Sequence, residues 1–90
     1  MDKLNKKFID DCNGRMVEKE PEYGGGDNPK NYRNIFESEL IDSVGEDYDK
    51  LSYFLDDETP MEITTKEAQR LCADMTNRLW MIWEKLSTNR

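Results

Sequence analysis

The side chains that most often carry out catalysis near neutral pH are scarce in this chain of 90 residues. It has no histidine, the residue most commonly used as acid, base or transition-metal ligand, so the usual nucleophilic triads are absent. Cys12 lies beside Asp10 and Asp11, whose charges raise the pKa of a thiol and disfavour the reactive thiolate. The composition therefore predicts a protein that is not an enzyme and that uses neither a metal nor a cofactor.

Two further segments could bind an ion or a phosphate by composition alone. The glycines at 24–26 lack both the Gly-Lys-Ser/Thr ending of a phosphate loop and the spacing of a dinucleotide site, so residues 20–28 are predicted to be a linker. Asp56, Asp57 and Glu58 could bind calcium weakly, but the ligand order and central glycine of an EF-hand are missing. We expect an exposed acidic loop there.

Negative charge is concentrated in one stretch of the chain. The formal net charge is -7, and residues 37–62 hold ten acidic side chains against Lys50 alone. Such a stretch repels a phosphate backbone, so direct nucleic-acid binding is not expected. It attracts a protein surface built to hold DNA or RNA, although an acidic surface also serves simply to keep a small protein soluble.

The candidate partner-binding residues combine these carboxylates with two tryptophans, a residue type favoured at binding hot spots. They are Glu37, Glu39, Asp42, Glu46, Asp47, Asp49, Asp56, Asp57, Glu58, Trp80 and Trp83.

Hydrophobic spacing predicts a mainly α-helical, single-domain bundle of about three helices. The clearest covers residues 65–87, because Thr64 and Glu67 form a capping box and apolar residues then recur at heptad spacing. That seam consists of Ala68, Cys72, Met75, Leu79, Ile82 and Leu86. Trp80 lies off the seam and is expected to pack either on a second copy or a partner, or on the N-terminal segment of the same chain.

The other two helices are predicted at about 2–13 and 29–55. Asn28 and Pro29 are typical first residues of a helix, and Gly45 predicts either a break or a weak point within the second of these helices. Asn13 and Gly14 would end the first helix. The same pair is also a hairpin signal, with residues 16–17 beginning a return strand.

The longest apolar run, residues 79–83, has five residues, whereas a membrane span needs about 20. No apolar stretch of signal-peptide length follows the N-terminal lysines. We therefore expect a cytoplasmic protein, in the host cell if it is phage-encoded, with reduced cysteines and no membrane contact.

In size, charge and lack of catalytic side chains the chain resembles, as a class and not by sequence, the small acidic inhibitors that bacteriophages make against host nucleases, restriction systems, CRISPR effectors and polymerases. The resemblance implies an anti-CRISPR, anti-restriction or polymerase-inhibiting protein that mimics nucleic acid on a basic surface. Two alternatives remain. One is a helical regulatory, immunity- or antitoxin-like subunit that forms a homodimer through residues 68–86; the other is an oligomer that sequesters a small nucleotide through Tyr23, Lys30, Tyr32 and Arg33.

Overall fold

The predicted mainly helical fold is confirmed. The computed structural model describes residues 3–23, 31–56 and 63–89, and no strand occurs among them. The helices are α1 (Lys6–Glu18), α2 (Glu20–Tyr23), α3 (Glu37–Leu55) and α4 (Thr65–Asn89), with a 3₁₀ turn at Tyr32–Asn34.

The helix predicted at 65–87 is α4, and the Thr64 half of its predicted capping box is present. Thr64 Oγ1 accepts a hydrogen bond from the backbone N–H of Glu67 at 3.1 Å, which satisfies one of the donors that a helix start leaves free. The predicted seam packs inside the chain mainly in its first half, where Ala68 is buried. Leu79 and Leu86, in the second half, are exposed.

The prediction for the first helix was wrong at both ends. α1 begins at Lys6, where Asn5 Oδ1 accepts from the backbone N–H of Lys7 at 2.8 Å, and it continues through residues 13–14 to Glu18. The hairpin alternative was also wrong, because residues 16–17 are helical. A glycine inside a helix destabilises it by only about 1 kcal/mol. The contact of Arg15 with Asp74 of α4 stabilises the helical conformation beyond residue 14.

The segment predicted as one helix at 29–55 contains the 3₁₀ turn, and α3 begins only at Glu37. Asn28 and Pro29 lie outside the described residues. α3 runs without a break through Gly45, so of the two alternatives the single helix is correct. Residues 20–23 of the predicted linker form α2, and the rest of that linker is also outside the described residues.

α4 is the central element of the fold. α3 packs along one side of it, and α1 and the 3₁₀ turn pack elsewhere on its surface. α3 and α4 run antiparallel: the 3₁₀ turn that precedes α3 contacts Lys85 near the end of α4, and Asp47 in the middle of α3 contacts Arg78 in the middle of α4. Among the described residues the buried apolar core is small; it consists of Cys12, Leu40, Val44, Ala68, Ala73 and Met81.

Polar side chains of α4 hold its neighbours in place. Asp74 accepts two hydrogen bonds from the Arg15 guanidinium, at 2.8 and 2.9 Å, and Arg78 donates to the carboxylate of the buried Asp47. Lys85, itself buried, donates to backbone carbonyls of the 3₁₀ turn at 3.1 and 3.3 Å. Each packed element therefore has its own charged contact with α4.

The Arg15–Asp74 contact alters the ionisation of both partners. Burial alone would raise the pKa of Asp74, but the hydrogen bonds from Arg15 and the charges of Lys19 and Arg78 outweigh burial and hold that pKa below its usual value. The hydrogen bond to Asp74 in turn raises the pKa of Arg15. The pair is therefore fully ionised at neutral pH.

Two neighbouring carboxylates of α3 should differ sharply in their effect on stability. We expect Asp47→Ala to lower the free energy of unfolding by about 3 kcal/mol, because it leaves Arg78 without its carboxylate in a largely buried setting. Glu46→Ala, one residue away and exposed, should change it by less than about 0.5 kcal/mol. Urea denaturation of both variants measures this, and equal effects would contradict the described packing.

Asp74 should make stability fall in acid. A carboxyl whose pKa is lower in the folded than in the unfolded chain stabilises the fold above its unfolded pKa of about 3.9. That contribution is lost as pH falls through the folded value. We expect Asp74→Asn to be less stable than wild type at pH 7 and the difference to shrink between about pH 5 and pH 2, measured by denaturation at each pH. For Asp10→Asn, an exposed control, the difference in free energy of unfolding from wild type should not shrink in this way. A difference for Asp74→Asn that stays constant with pH would refute the stabilising role of the ionised Asp74.

Candidate protein-binding surfaces

α3 carries a line of exposed carboxylates, here called the acidic stripe. It consists of Glu39, Asp42, Glu46 and Asp49, all exposed. Their spacing of three, four and three residues places the side chains on one face of a helix. Leu40 and Val44, which are buried, lie on the opposite side of α3, toward α4. Four of the predicted partner-binding residues therefore share one outward face.

The acidic stripe is a regular array. From Glu39 to Asp49 there are ten rises of about 1.5 Å, so the stripe extends about 15 Å, or about 5 Å between successive carboxylates. One strand of duplex DNA carries a phosphate about every 3.4 Å along its axis. The stripe thus presents a comparable line of charge at somewhat lower density.

The remaining acidic candidates lie in different environments. Glu37, in the first turn of α3, is half-buried, and Asp56, directly after α3, is exposed. Asp57 and Glu58 lie outside the described residues, so their placement stays a prediction.

Asp47 is not part of the outward surface and needs correction as a candidate. It is buried and bonded to Arg78. The sequence did contain a signal for this placement: Asp47 stands three residues after Val44 and four before Leu51, in line with the buried side of α3. Its role is to hold α3 on α4, and Arg78 is the residue that the sequence analysis missed.

The two tryptophans have different surroundings. The rings of Trp80 and Tyr32 lie 5.8 Å apart between centroids and are tilted by 52°, a favourable aromatic arrangement. Trp80 therefore packs on the chain's own 3₁₀ turn, which is not the N-terminal segment expected for it, and 41% of its surface stays exposed. A contact of Trp80 with a second copy or a partner stays a prediction. Trp83 is 60% exposed.

An apolar surface lies on the other flank of α3 and continues onto α4. Ile41, Tyr48 and Leu55 of α3 are spaced by seven residues and exposed. On α4, Leu79, Trp83 and Leu86 are also exposed. Because the two helices are antiparallel, helical geometry places both lines on the same side of the pair. These six residues are here called the apolar face, and its α3 members had not been predicted.

The residues proposed for nucleotide binding are only partly described. The guanidinium carbon of Arg33 lies 5.1 Å from the centre of the Tyr32 ring, and both residues border a shallow pocket with Glu84, Lys85 and Thr88. The side chain of Tyr23 and the whole of Lys30 lie outside the described part. Lys85 already donates to two carbonyls, so this pocket offers no unengaged set of cations for a phosphate.

A wider groove between α1 and the first half of α4 is lined by both signs of charge, including Lys7, Asp10, Asp11, Lys66 and Arg70. Among the described residues, no group of three or more acidic or cysteine side chains is arranged to hold a metal ion. The pKa of the buried Cys12 is raised, by burial first and then by Asp11, Asp74 and Cys72, in the direction expected from the sequence.

Comparison of the chain with protein-family models, curated proteins and solved structures finds no match. Among the helices of the described residues, none is both long and apolar enough to cross a membrane.

Proposed function

We propose that this protein is an inhibitor that binds a nucleic-acid-handling enzyme and occupies its basic groove with the acidic stripe of α3. The observation that carries the proposal is the exposure of Glu39, Asp42, Glu46 and Asp49 along one line of a single helix. CRISPR effectors, restriction enzymes and polymerases are the enzyme classes whose basic grooves such a surface fits. Phage inhibitors of this type act against these classes.

Energetics support a role for the stripe beyond the fold. Like charges three or four residues apart on a helix destabilise it by about 0.2–0.5 kcal/mol per pair, and the stripe contains three such successive pairs. A groove lined with Lys and Arg would turn this repulsion into attraction when it binds. The cost to the free protein is thus consistent with a surface kept for a partner.

The direction of the cations reinforces the negative field. Arg15, Arg78 and Lys85 all bond inside the chain and hold α4 to its neighbours. Their charges therefore do not lie beside the carboxylates of the stripe. The outward face of α3 bears only Lys50 as a basic residue. A field of this kind steers a basic protein toward the stripe and makes the encounter fast and sensitive to salt.

The proposed mechanism is competition, with no covalent step. The contact of Asp47 with Arg78 fixes which side of α3 faces α4, and the stripe lies on one regular helix, so it loses little conformational freedom on binding. Its carboxylates pair with the Lys and Arg side chains that would otherwise hold phosphates. Trp83 lies on the opposite flank from the stripe, so we assign it to a different contact and do not count it as an anchor for this partner.

Neutralising the stripe should abolish partner binding while an equal change in net charge elsewhere should not. The test variant carries Glu39→Gln, Asp42→Asn, Glu46→Gln and Asp49→Asn. The control neutralises the same number of exposed carboxylates outside α3, namely Asp10, Asp11, Glu20 and Glu67. We expect the test variant to bind the partner about 100-fold more weakly at low salt, and the control to bind within a few-fold of wild type.

The probe is soluble protein from the native cell, captured on each immobilised variant. Proteins held by wild type should be eluted by duplex DNA and by rising salt, and once purified they should bind nucleic acid that wild type then displaces. The proposed function would be refuted if the test variant captured the same proteins. It would also be refuted if duplex DNA failed to release the proteins that wild type captures.

A further inference from the structure

Charge on α4 is confined to one side of the helix. At about 100° per residue, its charged residues all fall within an arc of about 120°. They are Lys66, Glu67, Arg70, Asp74, Arg78, Glu84 and Lys85. That arc includes the three side chains that bond α1, α3 and the 3₁₀ turn. The usual arrangement of a surface helix, with charges facing water and apolar residues facing the core, is therefore partly reversed.

The uncharged side of α4 is left open where it meets the flank of α3. Leu79 is 48% exposed, and Trp83 and Leu86 are also exposed. With full side-chain areas of about 150 Å² for Leu and Ile and about 200 Å² for Tyr and Trp, the six residues of the apolar face expose an area on the order of 500 Å². This is at the upper end of the patches found on monomers, about 300–600 Å².

An apolar area of this size matches the requirement of a stable dimer. A standard interface buries about 800 Å² on each partner, of which about 60% is apolar. The apolar face alone supplies that share, and the polar atoms around its edge would supply the remainder. The spacing of seven residues between Leu79 and Leu86, and between Ile41 and Tyr48, also suits packing between helices.

We infer that the apolar face is the interface of a symmetric homodimer. Electrostatics favour a second copy as the occupant of this face. Each chain has a formal net charge of -7, and a two-fold contact brings identical surfaces together. Contact through the acidic stripe would oppose like charges, whereas the six members of the apolar face are uncharged. Glu37, four residues before Ile41 on the same line of α3, is half-buried at the edge of this face. A copy that docks there therefore opposes fewer charges of the same sign than one that docks through the stripe.

The dimer has a consequence for the rest of the surface. The acidic stripe lies on the flank of α3 that faces away from the apolar face, so pairing leaves both stripes on the outside of the dimer. Each chain keeps its stripe accessible. The inference stands independently of the proposed function, since it rests on apolar area and on the uncharged members of the apolar face.

Sedimentation of the full 90-residue chain tests the inference. At about 1–100 µM, wild type should sediment with twice the chain mass of 10.7 kDa. The variant with Leu79→Glu and Trp83→Glu should sediment as a monomer with its helical circular dichroism retained, because it buries two charges in each half of the contact. Leu4→Glu with Val17→Glu is the matched control. It alters two exposed apolar residues outside the face, and it should remain a dimer.

Tyr48→Glu, on α3, provides a second test that leaves α4 intact, and it should weaken the dimer at least tenfold. Salt separates this contact from the enzyme contact proposed above: the dimer should persist to about 1 M NaCl, whereas binding to a basic partner should be lost. A concentration-independent monomer in wild type would overturn the inference. So would a dimer that survives both apolar-face variants, or one that the control variant also dissociates.

Discussion

The structure depends on the polar contacts that α4 makes with each element packed on it. Asp74 holds α1, Arg78 holds α3 through Asp47, and Lys85 holds the 3₁₀ turn. In the part of the chain that the structure describes, fully buried apolar side chains are few, and Met81 is the largest of them, so this core by itself specifies orientation weakly. A largely buried ion pair adds little net stability when it is intact, but losing one partner is costly. The charged contacts therefore fix which side of each helix faces inward.

That constraint determines the two surfaces. With Asp47 pointing into α4, helical geometry directs Glu39, Asp42, Glu46 and Asp49 outward, and it leaves Ile41 and Tyr48 on the other flank. The same arrangement on α4 directs Asp74, Arg78 and Lys85 inward and leaves Leu79, Trp83 and Leu86 open. One face suits a basic protein and the other suits an uncharged apolar surface. A small protein could in this way use its two flanks for two different contacts without interference between them.

Much of the fold could be read from local signals, and what could not depends on tertiary contacts. The capping residues Thr64 and Glu67 and the apolar period located α4 closely. The end of α1 was missed because the weak local stop signal at residues 13–14 is overridden by Arg15 bonding to Asp74, 59 positions away in sequence. The line of the acidic stripe follows from spacing alone. The exclusion of Asp47 from it becomes clear only when Arg78 is known to lie opposite, and the apolar face appears only once the packing of α3 on α4 is known.

The central claim is that Asp47 and Arg78 act together to orient α3 on α4. A double-mutant cycle measures their coupling directly, from the free energies of unfolding of wild type, Asp47→Ala, Arg78→Ala and the double variant. The packing predicts a coupling of at least about 1.5 kcal/mol, with the double variant less destabilised than the sum of the single ones. Additive effects, with a coupling near zero, would contradict it.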